Sequence, residues 1–370
     1  MSDYPWLPNH QRHVLFSLAH ADDLIAATAR IQHAYMSKVP FDVKDVEDGE
    51  RIRATVTRIA PLPEALPRYA ADALNQLRSA LEHVVYAEIE FRLGRALTAQ
   101  EAISIEMPAQ TTSDGFLKWL QRSSRASLRP LQAGEDLCER LRDLQPYHRQ
   151  QPADHPLRRL VAHTNWAKHR TPAVAAVHLG AVRPEELVEG MVLSPASDRP
   201  IAVGDVLASI PRGVQVALDI WPKIAIQRPH DESWNILIHE LRDLEEWVRK
   251  TAIPTLLAGT TDVQPLPPHL DITIGYPDFL TAVAAADPTP AAKRAERALQ
   301  AEVARKGLLK LLLSHRTAAD SADAIARLVA RLSDDDVINF FAEAPTRDPR
   351  QLNTAIERMI IDARIAAFNS

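Results

Sequence analysis

The 370-residue chain has a net charge of −5 and 46% apolar residues, so it can build a sizeable core over more than one domain and is not, as a whole, a basic nucleic-acid binder. A single cysteine, Cys138, excludes an intramolecular disulfide and a multi-cysteine zinc site, and reads as a small buried apolar residue. Scarce aromatics (5%) beside abundant Ala, Leu and Arg favour helices over sheets.

Met1-Ser2-Asp3-Tyr4-Pro5-Trp6 lacks a basic region followed by an apolar run, so it does not read as a signal peptide. Residues 10–36 predict a first helix with Val14, Leu18, Ala21, Ile25, Ala29 and Met36 on one stripe. Residues 41–59 alternate with charge, and residues 51–57 predict an exposed strand that stops at Ala60-Pro61-Leu62-Pro63. The most periodic segment runs from Glu64 to Leu93, with Gly94 placed to close the helix. Residues 103–107 read as a short strand, and residues 113–121 and 134–144 as short helices. Another helix is expected over residues 155–169, with Pro156 in its first turn.

Between residues 172 and 227 the texture turns to strands, about four, which predict a small antiparallel β insertion. Residues 233–251 are again helical in pattern. Residues 259–276, rich in Pro and Thr, read as a linker, and residues 277–370 as a C-terminal helical domain. In that domain Thr289-Pro290, Ser333-Asp334-Asp335-Asp336 and Asp348-Pro349 each place a capping side chain ahead of a helix. The acidic triplet therefore reads as a helix start rather than a metal site. The strongest apolar run, residues 308–313, is too short to span a bilayer, so a cytoplasmic protein with no membrane insertion is expected.

The chemistry concentrates in Asp72-Ala73-Leu74-Asn75-Gln76-Leu77-Arg78-Ser79-Ala80-Leu81-Glu82-His83. At about 100° per residue, Ala70, Leu74, Leu77, Leu81 and Val84 share one face. Arg78 and His83 border the opposite face, about 140° apart, with Asn75, Ser79 and Glu82 between them. Short hydrogen-bonding groups there, in place of the usual Lys and Glu, let another surface approach closely. About 7.5 Å of rise separates Arg78 from His83, so two copies around a two-fold axis aim both groups at one phosphate better than one copy does. A neutral imidazole can take a proton from a ribose 2′-hydroxyl while a guanidinium holds the phosphate, which would make RNA the substrate, with no metal or cofactor required. The plain alternative is an Arg78–Glu82 surface ion pair and a half-buried His83.

A second basic stretch spans residues 142–170, where Arg158, Asn165 and His169 share one side of a helix. It reads either as a phosphate-binding face or as a solvated helix end favoured by the dipole. Trp166 reads as packed rather than stacked on a base. His239-Glu240-Leu241-Arg242-Asp243 lacks the second histidine of a zinc-protease helix.

The segment around Arg78 resembles the Arg-x4-His motif of the HEPN superfamily. It is also similar to a large bacterial group with a DALxNLRSALDH-like helix, an LQPY-like turn and an HPL…KHR-like helix. Here the matching residues are Leu144-Gln145-Pro146-Tyr147, His155-Pro156-Leu157 and Lys168-His169-Arg170. The likeness covers roughly residues 10–258; Gln76 and Ser79 depart from the pattern. It implies a mainly α fold, a HEPN-like helical bundle over residues 1–258 with the β insertion and a C-terminal helical extension. It also implies a homodimer that cleaves RNA without metal, in a toxin–antitoxin or antiphage setting. Arg78 and His83 would be catalytic, with Asn75, Ser79 and Glu82 in support and Arg158, Lys168, His169 and Arg170 on the RNA backbone. An antitoxin or effector partner would dock on the C-terminal helices. The alternative is a non-catalytic helical dimer that binds a nucleotide or a partner protein.

Overall fold

The computed structural model describes residues 4–38, 40–170, 173–195, 197–318, 321–343 and 348–368. Residues 1–3 and 171–172, which open the N-terminal segment and the expected β insertion, lie outside them. Helices dominate, with two small antiparallel sheets. The chain divides into two compact units, Met1–Ala292 and Lys293–Ser370. No helix among the described residues is long and apolar enough to cross a membrane.

In the first unit α1 (His13–Met36) and α2 (Ala65–Leu93) run antiparallel, joined by the hairpin β1 (Phe41–Asp48) and β2 (Arg51–Ile59). The amide of Gln11 bonds Val84 O and Glu88, and that of Gln76 bonds Ser17 O, which fixes the pairing. The stripe Ala70, Leu74, Leu77, Leu81 and Val84 is buried as its spacing predicts. It packs on Val14, Leu15, Leu18 and Ile25 of α1, each buried aliphatic side chain contributing about 1.5–3 kcal/mol. Gly94 closes α2 at φ 65°, a left-handed backbone that favours glycine.

Next come α3 (Ala99–Ser104), α4 (Ser113–Leu120), α5 (Ser123–Ala126) and α6 (Asp136–Asp143). Here the expected strand over residues 103–107 is corrected. Thr98 accepts the Glu101 N–H and Glu101 returns a bond to the Thr98 N–H, a capping box that starts a helix through Ser104. Cys138 is buried, and burial raises its thiol pKa. The helix α7 (Pro156–His169) starts where expected, its first turn capped by His155 Nδ1, which accepts the Leu157 N–H. Burial, helped by Arg149 and Arg159, holds the His155 pKa at about 4, so the ring stays a neutral acceptor.

The expected single β insertion is also corrected. β3 (Ala175–Pro184), β6 (Leu218–Gln227) and β7 (Trp234–Ile236) form one sheet. β4 (Val192–Leu193) and β5 (Val206–Pro211) join the N-terminal hairpin in another, ordered β1-β2-β5-β4. Residues 51–59 are therefore an inner strand rather than an exposed one. Trp234 and Ile236, expected in a helix, are strand residues paired with Gln227 and Ala225; helix α8 begins after them (Leu237–Trp247) and continues through a π turn into α9 (Ile253–Ala258). In the segment read as a linker, Leu266 and Leu270 are buried in this unit's core, as is Ala282 of α10 (Phe279–Ala285).

The second unit holds most of α11 (Ala291–Ser314), with α12 (Ala322–Arg331), α13 (Asp334–Glu343) and α14 (Pro349–Phe368). Leu308, Leu312, Ile325, Val329, Val337 and Ile360 form its core. Asp336 exchanges bonds with the Ser333 N–H and hydroxyl, and Asp348 accepts the Arg350 N–H, so the acidic residues start helices as expected.

Candidate nucleic-acid interface

Arg78 departs from its expected place on an open face: the residue is only 8% exposed. Its side chain leans across the seam between α2 and α7, which a helical wheel of α2 alone does not contain. Nε donates to Glu82 Oε1 at 2.8 Å, and Nη1 donates to Thr164 Oγ1 at 2.8 Å and Asn165 Oδ1 at 2.6 Å. Nη2 has no hydrogen-bond partner among the described residues. The guanidinium is thus held through Nε and Nη1, with Nη2 left unbonded.

His83 is exposed, as expected, but on the other flank of α2. Its ring lies 6.4 Å from that of His13, tilted by 58°. Burial lowers the His13 pKa, His83 and His10 add to the shift, and a bond to the His10 backbone opposes it. His13 is therefore biased toward the neutral base. The sequence reading missed this histidine; its signal was a position at the first turn of α1, facing the antiparallel α2.

Asn75 and Ser79 are half-buried and hydrogen-bond neither Arg78 nor His83, and Asn75 Oδ1 is buried without a partner. Of the expected supporting residues, only Glu82 hydrogen-bonds Arg78. On α7, Asn165 and His169 are exposed and Arg158 is half-buried. Lys168 and Arg170 are exposed at the C-terminal end, with the Arg170 guanidinium 4.5 Å above the Trp166 ring. The expected RNA contacts split: Lys168, His169 and Arg170 lie within about 8 Å of helix rise from Asn165, while Arg158 lies about 10 Å away toward the other end.

Among the described residues, Asp22, Asp23 and His269 bring possible metal-ligand atoms within 4.8 Å of one another. Asp22 accepts the Ala291 N–H, so one of its oxygens serves a helix start, and it lies 3.3 Å from His269 Nδ1. Comparison with protein-family models, curated proteins and solved structures returns no match.

Proposed function

We propose that the face formed by α2 and α7 binds RNA and that the protein is a metal-independent endoribonuclease of HEPN type, active as a homodimer. The observation that carries this reading is the state of Arg78. Three hydrogen bonds fix its guanidinium and leave Nη2 without a partner, on the same helix as the exposed His83. A pre-organised guanidinium edge holds a phosphate with little loss of side-chain freedom. His83 of one protomer, as the neutral imidazole, takes the 2′-hydroxyl proton. The 2′-oxygen attacks the phosphorus, the bond to the 5′-oxygen breaks, and the imidazolium so formed gives its proton to that leaving oxygen. The products are a 2′,3′-cyclic phosphate and a 5′-hydroxyl. Lys168 and Arg170, as exposed cations, and the exposed His169 hold the flanking backbone.

A second reading, a non-catalytic module that binds a nucleotide or protein, is favoured by one observation: Arg78 spends three donors on its own chain. Labelled RNA incubated with the protein in excess EDTA separates the two. The nuclease reading expects cleavage that falls by about 10²- to 10⁴-fold in His83→Ala. It also expects no cleavage of the same sequence as DNA. RNA left intact by the wild type, with and without added magnesium, selects the module.

A further inference from the structure

On α1 a buried carboxylate meets a histidine from a segment far along the chain. Asp22 is buried beside Leu18, Ala21 and Ile25 of the same helix. A carboxylate so deep needs cations or donors around it. Its Oδ1 accepts the Ala291 N–H at 2.6 Å. Its Oδ2 lies 3.3 Å from His269 Nδ1, and Asp23 Oδ1, on the next residue, lies 3.7 Å from the same nitrogen. One ligand atom from each of the three residues thus lies within 4.8 Å of the other two.

The three residues are held in place by other contacts. The His269 N–H donates to Asp287 O, and the Asp287 N–H donates back to His269 O. Leu266 and Leu270, on either side of His269, are buried in the core. Helix α1 fixes Asp22 and Asp23. The ring nitrogen Nδ1 is buried and makes no hydrogen bond. An imidazolium paired with a carboxylate aims its N–H at one oxygen, at about 2.7–2.9 Å. Here the nitrogen stands farther off, against two carboxylates at once and bonded to neither. Those are spacings of atoms around one ion: ligands about 2.1 Å from a tetrahedral zinc lie about 3.4 Å apart.

A single ion seated among three atoms needs no larger cavity. The Asp23 and His269 side chains are 40% and 34% exposed, which gives it a route from solvent. The surroundings favour positive charge. Burial raises the pKa of Glu245, Arg249 opposes this, and the nearby Asp22 adds to the rise. Arg249 Nε donates to Glu245. Asp271, two residues beyond His269, lies within electrostatic reach of its ring. One imidazole nitrogen with two carboxylate oxygens suits a first-row transition ion such as zinc better than magnesium or calcium, which prefer oxygen alone.

We infer that Asp22, Asp23 and His269 bind one zinc-class divalent cation, which ties α1 to the segment carrying Leu266 and Leu270. The site uses neither Arg78 nor His83, so its failure leaves the cleavage reading untouched. The test strips the full-length protein with a chelator, exchanges the buffer and titrates zinc chloride by calorimetry, with the His269 ring followed by NMR. We expect one tight equivalent at about micromolar zinc and a shift of the His269 ring signals as it binds. The unfolding midpoint should rise by about 5 °C at roughly a hundredfold excess over Kd. Asp23→Asn and His269→Ala should each weaken the tight equivalent at least about tenfold and lose the rise in midpoint. Both side chains are partly exposed, so both variants should keep the fold, which circular dichroism checks. Asp22 is left in place because it also holds the Ala291 N–H. If about 100 μM zinc leaves the His269 ring unmoved, or both folded variants take the tight equivalent as the wild type does, the inference is overturned. A ring that stays protonated above about pH 8 and takes no zinc assigns an ion pair with Asp22 instead, and overturns it too.

Discussion

Replacing Glu240 with Ala is expected to destabilise the first unit by about 3–5 kcal/mol, read as a lowered urea midpoint. The substitution leaves Arg159 and Arg228, whose side chains are 10% and 13% exposed, without their shared counter-charge. The two arginines are not equivalent. Burial lowers the Arg159 pKa and outweighs the attraction of Glu240. Burial also acts against Arg228, but hydrogen bonds from Arg228 to both carboxylate oxygens reverse the direction. Arg228 is therefore the stronger partner. Burial alone would raise the Glu240 pKa, yet hydrogen bonds with His163 and Arg228 and the charges of Arg159 and Arg228 hold it at about 2, against an ordinary value of 4.5. Because the folded value is the lower one, this stabilisation is present above about pH 4.5 and is lost as pH falls toward 2. It amounts to about 3 kcal/mol at roughly 1.4 kcal/mol per unit. Wild-type stability should thus fall more steeply across that window than that of Glu240→Gln; parallel curves would refute the assignment.

Arg78→Ala is expected to lower both stability and cleavage, for reasons that can be separated. It removes the ties from α2 to Thr164 and Asn165 and the ion pair with Glu82. A loss of about 2 kcal/mol follows, because Glu82 is 26% exposed and regains water. The fall in RNA cleavage should be larger, about 10²- to 10³-fold, since the unbonded nitrogen of the fork is lost to the phosphate. Arg78→Lys separates the two. An ammonium keeps the charge but cannot span Glu82, Thr164 and Asn165 while also presenting a donor outward. It should recover part of the stability and little of the activity. Near wild-type cleavage by Arg78→Lys would show that the fork plays no part.

What was legible in the sequence follows the reach of each signal. The α2 stripe, the His155–Pro156 start of α7 and the Ser333 and Asp348 caps are local patterns, and all appear where spacing placed them. Strand pairing is non-local. Nothing near Arg51 marks Pro211 as its partner, so one expected sheet became two. The burial of Arg78 also depends on a second helix, more than 80 residues on. At residues 103–107 apolar alternation suggested a strand, but the Thr98–Glu101 cap won because it satisfies N–H groups that a short isolated strand leaves open. Glu240 offered a usable signal that went unread: it shares a face with Leu237, Leu241 and Leu244, and an acid on an apolar face requires buried partners.

Because about 7.5 Å of rise separates Arg78 from His83 on one helix, the homodimer proposed above would draw the arginine and the histidine of each centre from different protomers, which is open to a mixing experiment. Arg78→Ala and His83→Ala proteins, each expected to be at least about 10²-fold less active, are unfolded together, refolded as an equimolar mixture and assayed on RNA in EDTA. If the centre is shared, half of the dimers are mixed and each has one intact pair, which restores about a quarter of wild-type cleavage. A mixture shown by mass spectrometry to contain mixed dimers, yet no more active than either parent, would contradict the shared centre.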